Sequence, residues 1–430
     1  FFMDLASSLT GHIAGGPALI AVVSSAIFGS ISGSGVANVV ATGTFTIPMM
    51  KKVGYKPEFA GAVEAAASSG GQLLPPVMGA AAFVLATLTQ QPYSTIALIS
   101  FAPAILYYLA LGFMVYFRAR RSGLRGLPRE ELPKFGEVMK KGWYYIFTIV
   151  VVVIVIAMGY SAPATAFWGS LFVVACSMLR KETRFTFEKL VKTFREAGTS
   201  ALSVGATAGT LGIIMASLTL SGLGVKFSSL ILSVGQGNLF LTLVLVAFIA
   251  TIIGMGLPTT ASYIIMSILA APSLIQLGIE PVPAHMVCLW FAVISNITPP
   301  VCVAAFAGAS IAGAHPMKTG LNAVPLGLFM YILPFFFVYE PAIFVYGQEL
   351  AVSIKIIASL LIAIACFAAG FQGWFFRNLR VWERAVFFLA SPLLVDTRFF
   401  SDIFGYIIVL VMAVYTFKTA KQAGNPTIAA

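Results

Sequence analysis

Two Pro-Pro pairs interrupt strongly apolar stretches of this chain, and each follows a run of polar side chains and glycine. They are Ser68-Ser-Gly-Gly-Gln-Leu-Leu-Pro-Pro76 and Ser295-Asn-Ile-Thr-Pro-Pro300. Proline has no N–H and its ring clashes with the carbonyl four residues back, so each pair frees carbonyls one turn upstream. In lipid such groups must face protein, water or a cation. Hydroxyl, amide and carbonyl oxygens together are the ligands a small hard cation prefers, which points to sodium. One such motif alone would be read as a packing kink with self-satisfied Ser and Thr; two matched motifs favour ion sites.

The surroundings are those of a membrane protein. Of 430 residues, 59% are hydrophobic and 10% charged, with a mean hydropathy of +0.95, too few charges to cover a soluble surface. Runs such as Ile146–Met158 and Leu241–Gly254 lack strict alternation, so the spans are helices rather than barrel strands. The net charge of +11 gathers in the segments Arg118–Lys141 and Arg180–Glu196, which marks a cytoplasmic face against anionic lipid, not a nucleic-acid surface. Four scattered cysteines (Cys176, Cys288, Cys302, Cys366) and three distant histidines (His12, His285, His315) give neither a disulfide framework nor a metal cluster. The chain starts at Phe1, and an upstream portion is expected.

An internal repeat organises the motifs. Pro299 answers Pro75 at an offset of 224 positions, and the same offset pairs Pro48 with Pro272, Gly54 with Gly278, Pro57 with Pro281, Ala60 with Ala284 and Gly11 with Gly235. The first copy occupies residues 1–118, with a hairpin at 17–50, an interrupted helix at 58–91 and a helix at 93–117. A basic loop at 119–142 and linking helices at 143–227 follow. The second copy occupies 228–342, with a hairpin at 238–276, an interrupted helix at 284–312 and a helix at 319–338. Further membrane helices complete the chain over 343–430.

Charge then predicts that the copies lie upside down to each other. The loop Lys51–Lys56 is basic, whereas its counterpart Leu274–Glu280 has no Lys or Arg. The helix count agrees if residues 17–50 and 238–276 each enter and leave on one face. Both divide at polar, glycine-rich tips, Gly29–Gly35 and Gly254–Thr260, into limbs of about 15 residues, shorter than the roughly 30 Å hydrocarbon core. The second limb of each begins as a helix N-terminus, near Val36–Asn38 and Thr260–Ser262, where free N–H groups favour an anion. No Lys or Arg occurs between Phe1 and Met50 or between Ser228 and Pro316, so an anionic substrate would rest on dipoles, hydroxyls and sodium.

With GSISGSGVANVV…SSGGQLLPPV in the first copy and GMGLPTTASYII…ISNITPPVCVAAFAGA in the second, the chain resembles the large membrane subunit of TRAP (tripartite ATP-independent periplasmic) transporters over most of Asp4–Ala342. The tail Trp382–Pro392 is similar to fused permeases that pair with TAXI-type binding proteins. The resemblance implies an all-α polytopic protein of the bacterial or archaeal cytoplasmic membrane. It implies sodium-driven import of an organic acid delivered by a periplasmic substrate-binding protein, by elevator movement, with a small membrane subunit as a further partner. Carried onto this sequence, one sodium site would draw on Ser32, Ser34, Asn38, Gly70, Gly71 and Pro75. The other would draw on Gly254, Gly256, Thr259, Ser295, Thr298 and Pro299. Ser34, Gln72, Thr260 and Asn296 are the expected substrate contacts. No organic cofactor is implied.

Competing readings are a stand-alone sodium–dicarboxylate carrier with the same hairpins, a channel, and a membrane enzyme or respiratory subunit. An enzyme would need convergent His, Asp, Glu or Cys, and the sequence offers Glu64 and little else. Glu64, about two turns before the first break, is either functional or a snorkelling or paired acid. His285 reads as an interfacial residue at a helix start, and Gly205-xxx-Gly209 as a close helix contact. The sequon Asn296-Ile-Thr298 is unreachable at membrane depth, and Gly29–Gly35 lacks the GK[ST] ending of a phosphate loop.

Overall fold

A computed structural model describes residues 1–178, 183–395 and 399–422. Its regular elements over that range are helices, apart from an antiparallel pair of two-residue strands, Trp374–Phe375 and Arg377–Asn378. Five described helices are long and apolar enough to cross a membrane, or seven if each of two bent pairs counts as one span. Tyr93–Arg121 and Leu350–Gln372 are among the five; Pro316–Leu326 with Leu328–Tyr339, bent by 42°, is one of the pairs.

The first hairpin joins Gly16–Ser32 to Gly35–Val53. Gly33 turns the chain in the left-handed region (φ 64°), where a Cβ would be strained, and the Ser34 hydroxyl accepts the N–H of Ala37 to start the return helix. The second hairpin runs Leu239–Gly254, turns through Gly256 (φ 74°), and returns as Thr259–Leu269. Here the return limb breaks at Ala270 and resumes as Ala271–Gln276, with Pro272 in its first turn. In the first copy Pro48 sits inside an unbroken helix.

The broken helices match residue for residue. Pro57–Gly70 ends in a 3-10 turn at Gly71–Leu73, and Pro281–Ile294 ends in one at Ser295–Ile297. All four boundaries obey the 224-residue offset, and proline occupies the first position of each helix, where its missing N–H costs nothing. After the breaks the chains resume as Ala80–Leu88 and Val303–Ala312. Pro57–Gly70 packs on Val303–Ala312 of the other copy as well as on both limbs of its own hairpin, whereas Pro281–Ile294 packs chiefly on Leu328–Tyr339 and Thr259–Leu269 of its own copy and only lightly on Ala80–Leu88.

Several elements differ from the sequence reading. The basic stretch Arg180–Glu196, expected as a loop, is helical from Phe187 onward, and Phe187–Leu220 is one 34-residue helix. Thr186 caps it by accepting the N–H of Lys189. Arg180 and Lys181 lie outside the described residues. Gly205 and Gly209 on this helix have open space where a Cβ would stand, so the expected close helix contact is not made within the described chain. The helix expected at 319–338 is instead two, bent at Gly327, where a Cβ would strike Ile297 Cδ1 at 2.3 Å.

The C-terminal helices are fastened by arginine. Arg384, on Val381–Val395, donates to the carbonyls of Gly370 and Phe371 (both 2.9 Å), and Arg121 donates to that of Gln372 (2.8 Å). These are carbonyls that the end of Leu350–Gln372 leaves without helical partners. Arg377 grips the buried Glu383 with two bonds, at 2.7 and 3.0 Å.

Candidate functional site

Each hairpin tip lies against the break of its own copy. In the first, Gly29 and Gly71 touch backbone to backbone: a Cβ on Gly29 would stand 2.7 Å from Gly71 Cα, and one on Gly71 would stand 2.5 Å from Gly29 Cα. The Ser30 carbonyl accepts the N–H groups of Val77 and Met78, both at 3.1 Å, and Gly79 N–H bonds the Gln72 carbonyl at 2.8 Å. Asn38 is fully buried beneath this contact, and its Nδ2 donates to the Ser25 carbonyl (2.8 Å).

Of the residues expected at this site, Asn38, Gly71 and Gln72 come together with the tip. Gln72 Nε2 is buried without a partner, and a Cβ on Gly35 would meet it at 2.8 Å. Ser69 Oγ, on the last turn before the break, is likewise buried without a partner. Ser32 and Ser34 are exposed on the tip, and Pro75 is partly buried. Gly70 is placed differently: it lies under the ring of Tyr107, where a Cβ would come within 2.3 Å of Cε1.

The second site is built alike with different side chains. A Cβ on Gly254 would reach Ser295 Oγ at 2.5 Å and Ser262 Oγ at 2.9 Å. Asn296 Nδ2 donates to Thr259 Oγ1 (2.9 Å), tying the break to the hairpin, and Ser262 Oγ is buried with no partner. Thr298 Oγ1 bonds the Ile294 carbonyl (2.7 Å) and the Tyr331 hydroxyl. Ser295 Oγ donates to the Ala292 carbonyl (2.8 Å). Gly256 is exposed and Thr260 half-buried on the tip, and the ring of Pro299 lies beside Gly320.

A buried unpartnered donor or acceptor costs about 1–3 kcal/mol. Ser69, Gln72 and Ser262 hold three such atoms at the two tips. The hydroxyl oxygens carry lone pairs that suit a hard cation, and the Gln72 amide offers N–H that suits a carboxylate. The oxygen donors present therefore fit sodium.

Tyrosines at these breaks were not anticipated. Tyr107 and Tyr108 donate to the carbonyls of Ala66 (2.8 Å) and Ala67 (2.7 Å), and Tyr93 to those of Pro76 and Val77. Some upstream carbonyls thus meet protein hydroxyls rather than a cation. Tyr107 and Tyr331 share the 224-residue offset, which was the available signal. His285, expected at an interface, is buried and bonds Tyr263 at 2.9 Å. Glu64 is fully buried among hydroxyls and does not snorkel.

Residues 1–349 match the family model of the tripartite ATP-independent periplasmic transporter, DctM component. The chain is 27% identical over 355 residues to the isethionate TRAP transporter permease protein DctMQ of Oleidesulfovibrio alaskensis, covering 79% of this chain and 53% of that protein. It is 25% identical to the C4-dicarboxylate TRAP transporter large permease protein DctM of Pseudomonas aeruginosa, covering 79% of each. It is 22% identical to the sialic acid TRAP transporter permease protein SiaT of Haemophilus influenzae, covering 77% of this chain and 53% of that one. With most of its length inside the family match, and that match spanning both hairpins and both breaks, the chain belongs to the DctM family of TRAP transporter large permease components.

Proposed function

We propose that this chain is the permease of a sodium-coupled importer of an organic acid, working in the cytoplasmic membrane of a bacterium or archaeon. A periplasmic binding protein hands over the acid, and a small membrane subunit completes the complex. The two hairpin-bearing copies carry the sites and move together against the remaining helices. The observation that carries this reading is the pair of tip-to-break contacts, with unpartnered polar atoms at Ser69, Gln72 and Ser262. Two broken backbones facing two glycine tips supply cation ligands and N–H donors at once, without an arginine clamp.

The relatives' names support an organic acid as cargo, since they carry isethionate, C4-dicarboxylates and sialic acid. The joint name DctMQ supports the small-subunit partner. The finer assignment, to fused permeases served by TAXI-type binding proteins, rests on the resemblance of the tail Trp382–Pro392 alone.

The test is uptake into proteoliposomes with and without a cognate soluble binding protein, across a sodium gradient. Uptake requiring both supports the proposal. Uptake that never needs the binding protein would identify a stand-alone sodium–dicarboxylate carrier instead.

A further inference from the structure

Glu64 anchors a polar knot beside the first tip. Ser25 Oγ donates to Oε1 at 2.7 Å and Ser68 Oγ at 3.1 Å, while the Thr42 and Thr46 hydroxyls press on Oε1 and Oε2 respectively. Thr42 Oγ1 also lies 3.0 Å from Ser25 Oγ, 2.8 Å from the Asn38 carbonyl and 3.2 Å from Asn38 Oδ1. Thr46 Oγ1 lies 3.1 Å from the Thr42 carbonyl. Eight oxygen–oxygen contacts therefore share the protons of four hydroxyls, since each Ser or Thr has one to give.

The surrounding elements bring no compensating cation to the knot. Gly16–Ser32 and Val303–Ala312 carry no charge. On Gly35–Val53 the charges are Lys51 and Lys52 in the last turn, and Lys51 Nζ is spent on the Ala312 carbonyl (2.7 Å). Glu58 lies in the first turn of Glu64's own helix. Tyr107 and Tyr108 approach from Tyr93–Arg121 with their hydroxyl protons already donated, and the arginines of that helix are in its last turn. His285, on Pro281–Ile294, is bonded to Tyr263. Lys318, on Pro316–Leu326, lines a separate cavity with Lys56, Glu58 and Arg118.

The break does not need this knot. At the 224-residue offset, Ser25, Thr42, Thr46, Glu64 and Ser68 become Ile249, Met266, Ala270, Cys288 and Ala292, and the second copy forms the same break. An apolar set suffices for packing, so the acid in one copy calls for a ligand.

We propose that the Glu64 knot is a proton-binding site, with the proton on Oε2 directed at Thr46 Oγ1. Thr46 then donates its own hydroxyl hydrogen to the Thr42 carbonyl, and Ser25, Ser68 and Thr42 donate to Oε1. The proton comes from a solvent hydronium ion, which leaves as water, and the carboxyl becomes neutral where an isolated buried charge would be costly. Glu64 stands on the broken helix while Ser25, Thr42 and Thr46 stand on the hairpin, so the protonated carboxyl joins the first hairpin to its broken helix. The proposal goes beyond sodium coupling and does not depend on it.

The test is infrared spectroscopy of the purified, detergent-solubilised protein at neutral pH, in H2O and D2O, for wild type and Glu64→Gln. The expected result is a protonated-carboxyl C=O band, deuterium-shifted, lost in Glu64→Gln and unchanged by saturating sodium chloride. Should Glu64→Gln fail to fold, Thr46→Val serves instead, because removing the acceptor must shift the band to higher frequency. A wild-type spectrum with no such band, a band abolished by sodium, or a band unmoved in Thr46→Val overturns the proposal. None of these readouts involves transport, so failure here is distinct from failure of the proposed function.

Discussion

Gly61 and Gly308 meet back to back where the two broken helices cross. A methyl on Gly61 would stand 2.9 Å from the Gly308 carbonyl, and one on Gly308 would stand 2.5 Å from the Gly61 oxygen. Backbone is what would have to move. Gly61→Ala and Gly308→Ala are each expected to cost about 1–3 kcal/mol, as overpacked sites do. Thermal unfolding of the detergent-solubilised protein measures it, and an unchanged midpoint in both variants contradicts the crossing.

At the second break, Thr298→Ala removes an oxygen that bonds Ile294 and Tyr331. Losing one polar ligand of about 1–1.5 kcal/mol should raise the sodium concentration for half-maximal uptake roughly tenfold. Sodium activation should suffer more than expression or the thermal midpoint, since folding loses only the bonds to Ile294 and Tyr331. A sodium activation curve that does not move removes Thr298 from the ion site.

Gly254→Ala drives a methyl onto Ser295, and Gly29→Ala drives one onto Gly71. Both should abolish uptake while the protein still reaches the membrane, because only the tip-to-break contact is wedged open. Gly112→Ala, at a position with nothing within 4 Å, is the control and should transport normally.

The Arg377–Glu383 pair predicts a pH effect. Burial raises the Glu383 carboxyl, but the bonds from Arg377 and the Arg380 N–H outweigh it and hold the group below its ordinary value of 4.5. A depressed acid stabilises above its unfolded value, and that contribution is lost as the pH falls through the folded one. Wild type should therefore lose stability below about pH 4.5 more steeply than an Arg377→Met/Glu383→Gln double variant. Arg377→Met alone, which strands a buried acid, should cost about 3–5 kcal/mol. Melting curves across pH 3–8 compare the three proteins.

Inversion of the copies is checked by labelling. Single cysteines at Val53 and Leu277, each at the end of a hairpin's return limb, should react from opposite sides of the membrane with an impermeant maleimide. The native cysteines are buried, so background labelling should be low. Labelling of both from one side sinks the inverted arrangement.

The sequence made the repeat legible because proline and glycine act locally. A Pro-Pro pair stops a helix wherever it stands, so the breaks at Gly71–Leu73 and Ser295–Ile297 could be placed before any contact was known. The tips at Gly33 and Gly256 follow from the same local logic. What stayed hidden depends on residues far apart in the chain. Tyr107 and Tyr108 look like ordinary span aromatics until their hydroxyls are seen on Ala66 and Ala67. Glu64 could be singled out as an acid in an apolar helix, but the hydroxyls of Ser25, Thr42 and Thr46 arrive from the hairpin. The helix Phe187–Leu220 was missed at its start because a basic, polar segment reads as a loop when only hydropathy is weighed.

Pro57–Gly70 lies between the two limbs of its own hairpin and Val303–Ala312 of the second copy, so the surroundings of the first broken helix are complete only when both copies are present. During synthesis the first copy must wait, with one face of that helix uncovered, until the ribosome has delivered nearly all of the second. Nascent chains halted before Val303 should therefore leave the Gly61 face uncovered, and the duplication matures as one unit.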